Sequence, residues 1–282
     1  ITHVIRGDDH LSNTPKQILI YRGLEAPLPV FAHVPMILGP DGKRLSKRHG
    51  AASVEAYRDE GILSEALVNF LALLGWSPGD DRELMDLPEL IDAFSLERIL
   101  KKAGVFDPKK LEWLNGRYLD AKATPELVPL VLDAMNETDR ELAEADSDRF
   151  AAIVDLQKTR ARTIPGIAEA SLRYLEDPVQ YDDRAVRKHW LKDRVAASAI
   201  LDAEREVLAT VEPFTQENLE GPLREVAASR DVGFGKVIGP LRVALLGVQD
   251  SPGIFDVLVL LGREKSVERI DAALAEIERR EA

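Results

Sequence analysis

The sequence predicts a mostly helical α+β protein, and three observations carry that prediction. Apolar, β-rich runs flank a capped helix within the first 50 residues. Helix start and stop signals recur from Ser53 onward, and strand signals nearly vanish after residue 123. A length of 282 residues suggests about two domains, at roughly 150 residues each. A hydrophobic content of 45% with 30% charged residues supplies material for more than one core. It excludes a disordered chain, a collagen-like repeat and a disulfide-stapled miniprotein. The absence of cysteine excludes disulfides, thiol catalysis and cysteine-ligated zinc. No apolar run approaches the roughly 20 residues needed to span a bilayer. Residues 1–6 lack the basic, apolar and small-residue order of a signal peptide, so a cytoplasmic protein is expected. The chain opens without Met on an alternating apolar segment, which reads as a piece cut from something longer.

Taken in order, residues 1–5 read as a short strand. Asn13-Thr14-Pro15 then sets a capping side chain before a proline at the first helical position, opening a helix with Ile18, Leu19 and Tyr21 that stops near Gly23. Residues 30–38 form a second β-rich run, ended by the turn sequence Gly39-Pro40-Asp41-Gly42. Ser64 is expected to cap a helix bearing Leu67, Phe70, Leu71 and Leu74, closed by Gly75. Pro88 and Ser95 open two short helices. Pro108 opens another, where Lys109, Lys110 and Trp113 could face a nucleic acid, although Trp113 in the core and a stop at Asn115-Gly116 are the plainer expectation. Thr124-Pro125-Glu126 begins a region of helices near 126–136, 148–157, 165–176, 193–211, 215–229, 235–247 and 254–261, and a last one from Ser266. The acidic, alanine-rich stretch 137–148 reads as a loose connector. Domain boundaries are expected near 50 and 123.

The net charge of −12 is unevenly spread. Of the blocks 1–50, 51–123, 124–194 and 195–282, only the first is net positive, with seven basic and four acidic side chains. Bulk composition therefore argues against a nucleic-acid binder. Basic runs at Lys101-Lys102, Lys109-Lys110, Lys158 to Arg162 and Arg184 to Arg194 argue the other way locally, because phosphate contact needs a positive face and not a positive protein.

Two clusters could carry chemistry. Gly39-Pro40-Asp41-Gly42-Lys43-Arg44-Leu45-Ser46-Lys47-Arg48-His49-Gly50 packs four cations into six residues, between glycines. Such a loop can close on a polyphosphate whose charge rises during displacement. It is not a Walker loop, and a plain solvated basic loop fits the composition as well. Arg6-Gly7-Asp8-Asp9-His10 follows a strand end, where ligands of open α/β sheets bind. There an Arg can grip a carboxylate and an Asp can accept from a ribose; an ordinary turn with a surface histidine is the plainer alternative. The spacing of Asp8, Asp9 and His10 matches no metal site. In the helical part, Arg160 stands at a helix end. Arg242 lies in an apolar helix where it needs a partner or an exit to solvent, and Ser251-Pro252-Gly253 forms a rigid turn. Base-reading arginines or simple helix-end compensation would both give this pattern.

Together, and in this order, these clusters resemble the bacterial glutamyl-tRNA synthetases. Residues 1–15 resemble their strand-to-helix signature, and residues 39–50 their version of the class I KMSKS loop. Residues 65–76 and 105–116 match as well, and the likeness runs on to the C-terminus. The resemblance implies a Rossmann-type catalytic portion over 1–50, a stem-contact domain over 51–123, and an all-helical anticodon-binding region over 124–282, split near 180. It implies that Lys47 holds ATP phosphates during glutamyl-adenylate formation, supported by Ser46 and by Arg44, where the family usually carries Lys. It implies Arg6 on the glutamate, Asp9 on the ATP ribose and His10 near the adenine. Arg160, Arg242, Ser251, Pro252 and Gly253 would read the anticodon of the glutamate tRNA. Implied partners are ATP with Mg2+ as a substrate complex, L-glutamate and the glutamate tRNA. No resident metal, no zinc ligand and no membrane are implied, and a monomer is expected. The N-terminal half with the HIGH signature does not occur here, so this chain alone is expected to be inactive. A non-catalytic tRNA-binding fragment, a glutaminyl-tRNA synthetase relative and an RNA-independent helical scaffold are the competing readings.

Overall fold

Residues 1–46, 53–177 and 179–280 are described in a computed structural model of the chain. The chain divides into two compact units, residues 1–121 with 162–164, and residues 122–161 with 165–282.

The first unit opens with strands β1 (His3–Gly7) and β2 (Val30–Val34), which pair in parallel with His3 opposite Val30 and Arg6 opposite His33. A 3-10 turn (Asp8–Asn13) and helix α1 (Thr14–Gly23) make the crossover that parallel pairing demands. The strand expected over 30–38 stops at Val34. Pro35 has no N–H to give a ladder, and Leu38 forms isolated bridges to Arg44 and Val105 instead. Helix α1 has no buried residue, and Ile5, Leu19 and Ile20 stand half or more exposed.

The rest of this unit is built by α2 (Val54–Asp59), α3 (Ser64–Leu73), α4 (Leu87–Ala93) and α5 (Pro108–Ala121). Its core joins Ile62, Leu67, Phe70, Leu74, Phe106, Leu111 and Leu114, with Phe70 edge-on to Phe106 at 5.1 Å. Ser64 does not cap α3. It is the first helical residue, Leu63 takes the cap position, and the Leu63 N–H donates to Asn115 Oδ1 at 2.8 Å. The same Asn115 donates to the carbonyls of Gly61 and Arg162, which explains why α5 runs on to Ala121 and does not stop at Asn115-Gly116. Its side chain satisfies three buried partners and has no cause to cap its own helix. Trp113 is 39% exposed, outside the core expected for it.

The second unit is helical throughout its described residues: α6 (Thr124–Asp133), α7 (Glu137–Glu144), α8 (Ser147–Lys158), α9 (Ile164–Leu175), α10 (Asp183–Val186) running into a π-turn (Arg187–Leu191), α11 (Arg194–Thr210), α12 (Gln216–Ser229), α13 (Phe234–Leu246), α14 (Ile254–Leu261) and α15 (Arg263–Arg279). The connector expected over 137–148 is instead α7 and the start of α8. Asn136 accepts from the Asp139 N–H as a cap, and Arg140 ties back to the Leu132 carbonyl. Helix α13 buries nine of its residues, from Val237 to Leu246, and α11 and α15 pack beside it.

Two buried charges stand out in this core. Arg269 on α15, 2% exposed, donates to the carbonyls of Leu245 and Arg173 at 2.5 and 2.7 Å and of Glu176 at 2.9 Å, and pairs with Asp177 at 3.3 Å. These are the orphan carbonyls at the C-terminal ends of α13 and α9. Glu204 on α11 is fully buried, and neither carboxylate oxygen has a hydrogen-bond partner among the described residues. Burial pushes its carboxyl well above the ordinary value, with Arg230 opposing weakly.

Arg269→Met is expected to destabilise the protein by about 3 kcal/mol, because it strands three carbonyls and Asp177 together; urea unfolding measures it. Glu204 works in the opposite sense. Its folded-state value lies above 4.5, so the native state holds a proton that the unfolded chain releases, and stability falls as pH rises past that point. Glu204→Gln should therefore raise Tm at pH 7 by at least about 2 °C. The gain should vanish as the pH is brought down to about 4.

Candidate functional site

The end of β1 is one candidate. Parallel register sets Arg6 beside His33, and the Arg6 guanidinium donates to Thr14 Oγ1 at 2.9 Å and approaches His33 Nε2 at 3.5 Å. Thr14 Oγ1 lies 2.9 Å from the same His33 nitrogen, and Arg6 stands over the Phe31 ring at 5.7 Å. Arg6 is thus held by three residues of the strand–helix–strand unit, half-buried, with its charge at the carboxyl end of the strand. Asp9 sits one turn beyond, its Oδ1 lying over Gly7 where a Cβ would be 2.5 Å away. His10 is exposed, with Asn13 Nδ2 at 3.4 Å from its Nδ1.

The basic loop leaves from a tight hairpin. Gly39 N–H donates to the Lys43 carbonyl, Gly42 N–H returns to Gly39 with φ of +73°, and Arg44 bridges Leu38. This geometry carries Arg44 to 3.7 Å from Asp9, joining the two sequence clusters at one place. Both groups are exposed, so the pair contributes little stability and both remain available to a ligand. Ser46 is half-buried beside them in sequence. Lys47, the residue on which the phosphate role rests, lies outside the described residues.

A second candidate lies within the helical unit: a cleft of about 390 Å³, inside the roughly 300–1,000 Å³ range of small-ligand clefts. Arg160 enters it from the end of α8, Arg173 and Tyr174 from α9, Arg184 from α10, and Ser251 with Pro252 from the turn before α14. Three guanidinium groups face two carboxylates, Asp182 and Asp250, and Asp182 is occupied as the cap of α10. Gln157 donates to the Tyr174 hydroxyl at 3.1 Å, and burial pushes that phenol up, so it stays protonated.

Arg242 does not line the cleft but stands behind its rim, Nη1 at 3.4 Å from the Gln249 carbonyl. Burial lowers its pKa from the ordinary value; Asp250 opposes this and Arg160 adds to it. The π-turn brings His189 against Gly239, where a Cβ would meet Nδ1 at 2.4 Å. Burial lowers the His189 pKa, with Lys188 and Arg242 assisting. Gly253 caps α14 outside the lining. Clustered guanidinium groups around a cleft, with a phenol at its floor, suit the edges and phosphates of unstacked nucleotides.

Arg160 and the turn 251–252 thus come together, as do Asp9 and Arg44. Sequence reasoning missed Thr14 and His33 as the holders of Arg6, whose only signal was the strand register. It also missed Arg173, Tyr174 and Asp250; Arg184 lay in a basic run already noted. Among the described residues there is no cluster of three or more His, Asp or Glu that could hold a metal ion.

Residues 1–113 match the family described as the catalytic domain of class I tRNA synthetases (E and Q), and residues 122–274 match the anticodon binding domain family. The chain is 43% identical to a glutamate–tRNA ligase of Moorella thermoacetica over 97% of its own length and 56% of the relative's. It is 46% identical to that of Syntrophobacter fumaroxidans, over 99% and 58%. A crystal structure of a glutamate tRNA ligase from Elizabethkingia meningosepticum in complex with its amino acid superposes with a TM-score of 0.80 at 28% identity, covering 98% of this chain and 57% of that one. The chain therefore spans a little over half the length of the curated relatives it matches.

One backbone position lets the 180–184 and 246–252 walls approach closely. Gly247 closes α13 with φ of +74°, and a Cβ there would lie 1.9 Å from the Gln180 carbonyl oxygen. Its own carbonyl accepts from the Asp182 N–H at 2.8 Å. Gly247→Ala is expected to cost about 2 kcal/mol or more and to separate the 180–184 and 246–252 walls; thermal melting and proteolysis around residue 182 would show both.

Proposed function

The chain belongs to the class I tRNA synthetases of the E and Q group, and on that premise we propose that it serves a glutamate–tRNA ligase. In this reading residues 1–50 contribute to a Rossmann-type catalytic fold, 51–123 contact the tRNA stem, and 124–282 bind the anticodon in two parts split near 180. The whole protein joins glutamate to its tRNA in two steps, an adenylyl transfer followed by an acyl transfer. The glutamate carboxylate displaces pyrophosphate from ATP, and a ribose hydroxyl of the tRNA then displaces AMP. The relatives carry the name glutamate–tRNA ligase, which favours this over a glutaminyl enzyme.

The residues take roles that their geometry permits. Arg6, fixed by Thr14 and His33, offers a guanidinium to the substrate carboxylate. Asp9 accepts from the ATP ribose, and His10, exposed beside it, lies near the adenine. Arg44 and Lys47, with Ser46, meet the phosphates, and Mg2+ arrives with the nucleotide. Arg44 exchanges Asp9 for phosphate as the loop closes, which a weak, exposed pair allows at little cost. Pyrophosphate is the leaving group, so cations that follow its growing charge lower the barrier. In the helical unit, Arg160, Ser251 and Pro252 receive an anticodon base. Arg242 supports the rim, and Gly253 lets the following helix begin directly after the turn. The protein acts in the cytoplasm as a monomer.

The observation that carries the reading is the arginine-lined cleft among the ends of α8, α9 and α13. Arg160→Ala and Arg242→Ala should each weaken binding of the glutamate tRNA by about 1–3 kcal/mol, and loss of a phosphate contact should reduce the salt slope by about one. Titrations of labelled tRNA at several salt concentrations measure both quantities. Wild-type affinity and slope in both variants would remove the anticodon assignment.

A further inference from the structure

Between α3 and α4 lies a second groove, of about 280 Å³, walled by Val68, Ala72, Trp76, Leu87, Ile91 and Phe94. Trp76 and Leu90 are buried at 4% and 7% exposure, whereas Val68, Leu87, Phe94 and Ile91 stand open at 45–66%. Every wall residue is apolar. Clustered exposed apolar side chains on an otherwise solvated surface mark an interaction site.

The charge along α3, α4 and the segment joining them is predominantly negative, while Arg98, Lys101 and Lys102 follow on the segment that pairs with Trp76. Segment 64–94 carries seven carboxylates and a single cation, Arg82. Arg82 is engaged with Asp80 at 2.9 Å and Glu89 at 4.0 Å, and Lys110 reaches over to Glu83 at 2.6 Å. Asp86 caps the helix that bears Leu87 and Ile91, Asp92 follows Ile91, and Glu65 lies one turn before Val68. These carboxylates converge: burial first, then Asp86, Glu65 and Glu89, push the Tyr118 hydroxyl up to about 12. Carboxylates along the α3–α4 edge disfavour a phosphate backbone there. An apolar trough with acidic edges complements a helix with an apolar stripe at i, i+3, i+4 and i+7, flanked by Lys and Arg.

We propose that the α3–α4 groove docks a basic amphipathic helix of a partner protein. The partner's apolar stripe covers Leu87, Ile91 and Phe94, and its cations meet Asp86, Asp92 and Glu65. This goes beyond tRNA binding and leaves the arginine cleft untouched.

The probe is an 18-residue Leu/Lys amphipathic peptide titrated into the chain with 15N-labelled tryptophan, read by NMR. The Trp76 indole N–H has no hydrogen-bond partner among the described residues and belongs to the groove wall, so it reports occupancy. Expected are saturable binding on the order of 10 µM, a shift of the Trp76 indole signal with those of Trp113 and Trp190 unmoved, and weaker binding as salt rises. Ile91→Ser and Phe94→Ser preserve charge and alter exposed positions. Each should weaken binding at least about tenfold with tRNA affinity unchanged, and Ile91→Ser should leave Tm unchanged as well. The same peptide with Glu for Lys should not bind. An unmoved Trp76 signal, undiminished binding by the serine variants, equal binding of the Glu peptide, or displacement of the peptide by tRNA would each overturn the proposal. So would a longer form of the protein in which the peptide no longer moves Trp76, since its own polypeptide would then fill the groove.

Discussion

A single buried guanidinium holds the helical unit's cleft in shape. Helices end with carbonyls that have no partner of their own, and two helix ends brought together in a core double that problem. Arg269 answers it for α9 and α13 at once, spending its donors on Arg173, Glu176 and Leu245 while Asp177 balances its charge. The carbonyls it binds belong to Arg173, which lines the cleft, and to Leu245, which precedes the lining residue Leu246. The two walls are therefore fixed by one side chain that never touches the cleft. A hydrophobic replacement of similar volume would fill the space but leave the walls free to fray. Here the buried charge supports both the geometry of the walls and the stability of the unit.

How much of this could be read from the residues depends on how far their signals reach along the chain. The starts at Thr14-Pro15 and Pro108 were legible because a proline at a helix start acts within one turn, although no side chain makes the cap expected for α1. The halt at Val34 was legible in principle, since Pro35 cannot donate, but the apolar run through Met36, Ile37 and Leu38 concealed it. The course of α5 was not legible. Asn115-Gly116 reads as a stop, and only the fold brings Leu63, Gly61 and Arg162 to the Asn115 amide. Likewise 137–148 has the composition of a connector, yet Asn136 and Arg140 turn it into a helix.

The candidate sites divide the same way. Arg6, Asp9 and Arg44 were visible as charges near turns, and Arg160 and Ser251 as a helix end and a rigid turn. Their juxtaposition was not visible, because Arg44 comes to Asp9 through a hairpin whose closure depends on Gly42 at positive φ. Tyr174 and Asp250 gave no signal at all. A buried tyrosine reads as core, and an aspartate before Ser251-Pro252 reads as turn chemistry. The charge balance was the most misleading number, since −12 overall conceals a net-positive first segment and a local cluster of guanidinium groups.

The parallel pair of strands has a consequence for how this molecule opens. Helix α1 buries none of its residues, and β1 carries Ile5 half exposed, so little apolar contact secures residues 1–30. In α13 nine residues are packed away, so its amides are released only when that whole core gives way. Hydrogen exchange should then rank the chain sharply, with β1 and α1 trading deuterium through small local excursions and α13 last of all. In this chain by itself the segment bearing Arg6 and Asp9 sits at the loose end of this hierarchy, and any contact that gathers those side chains would tighten the strands.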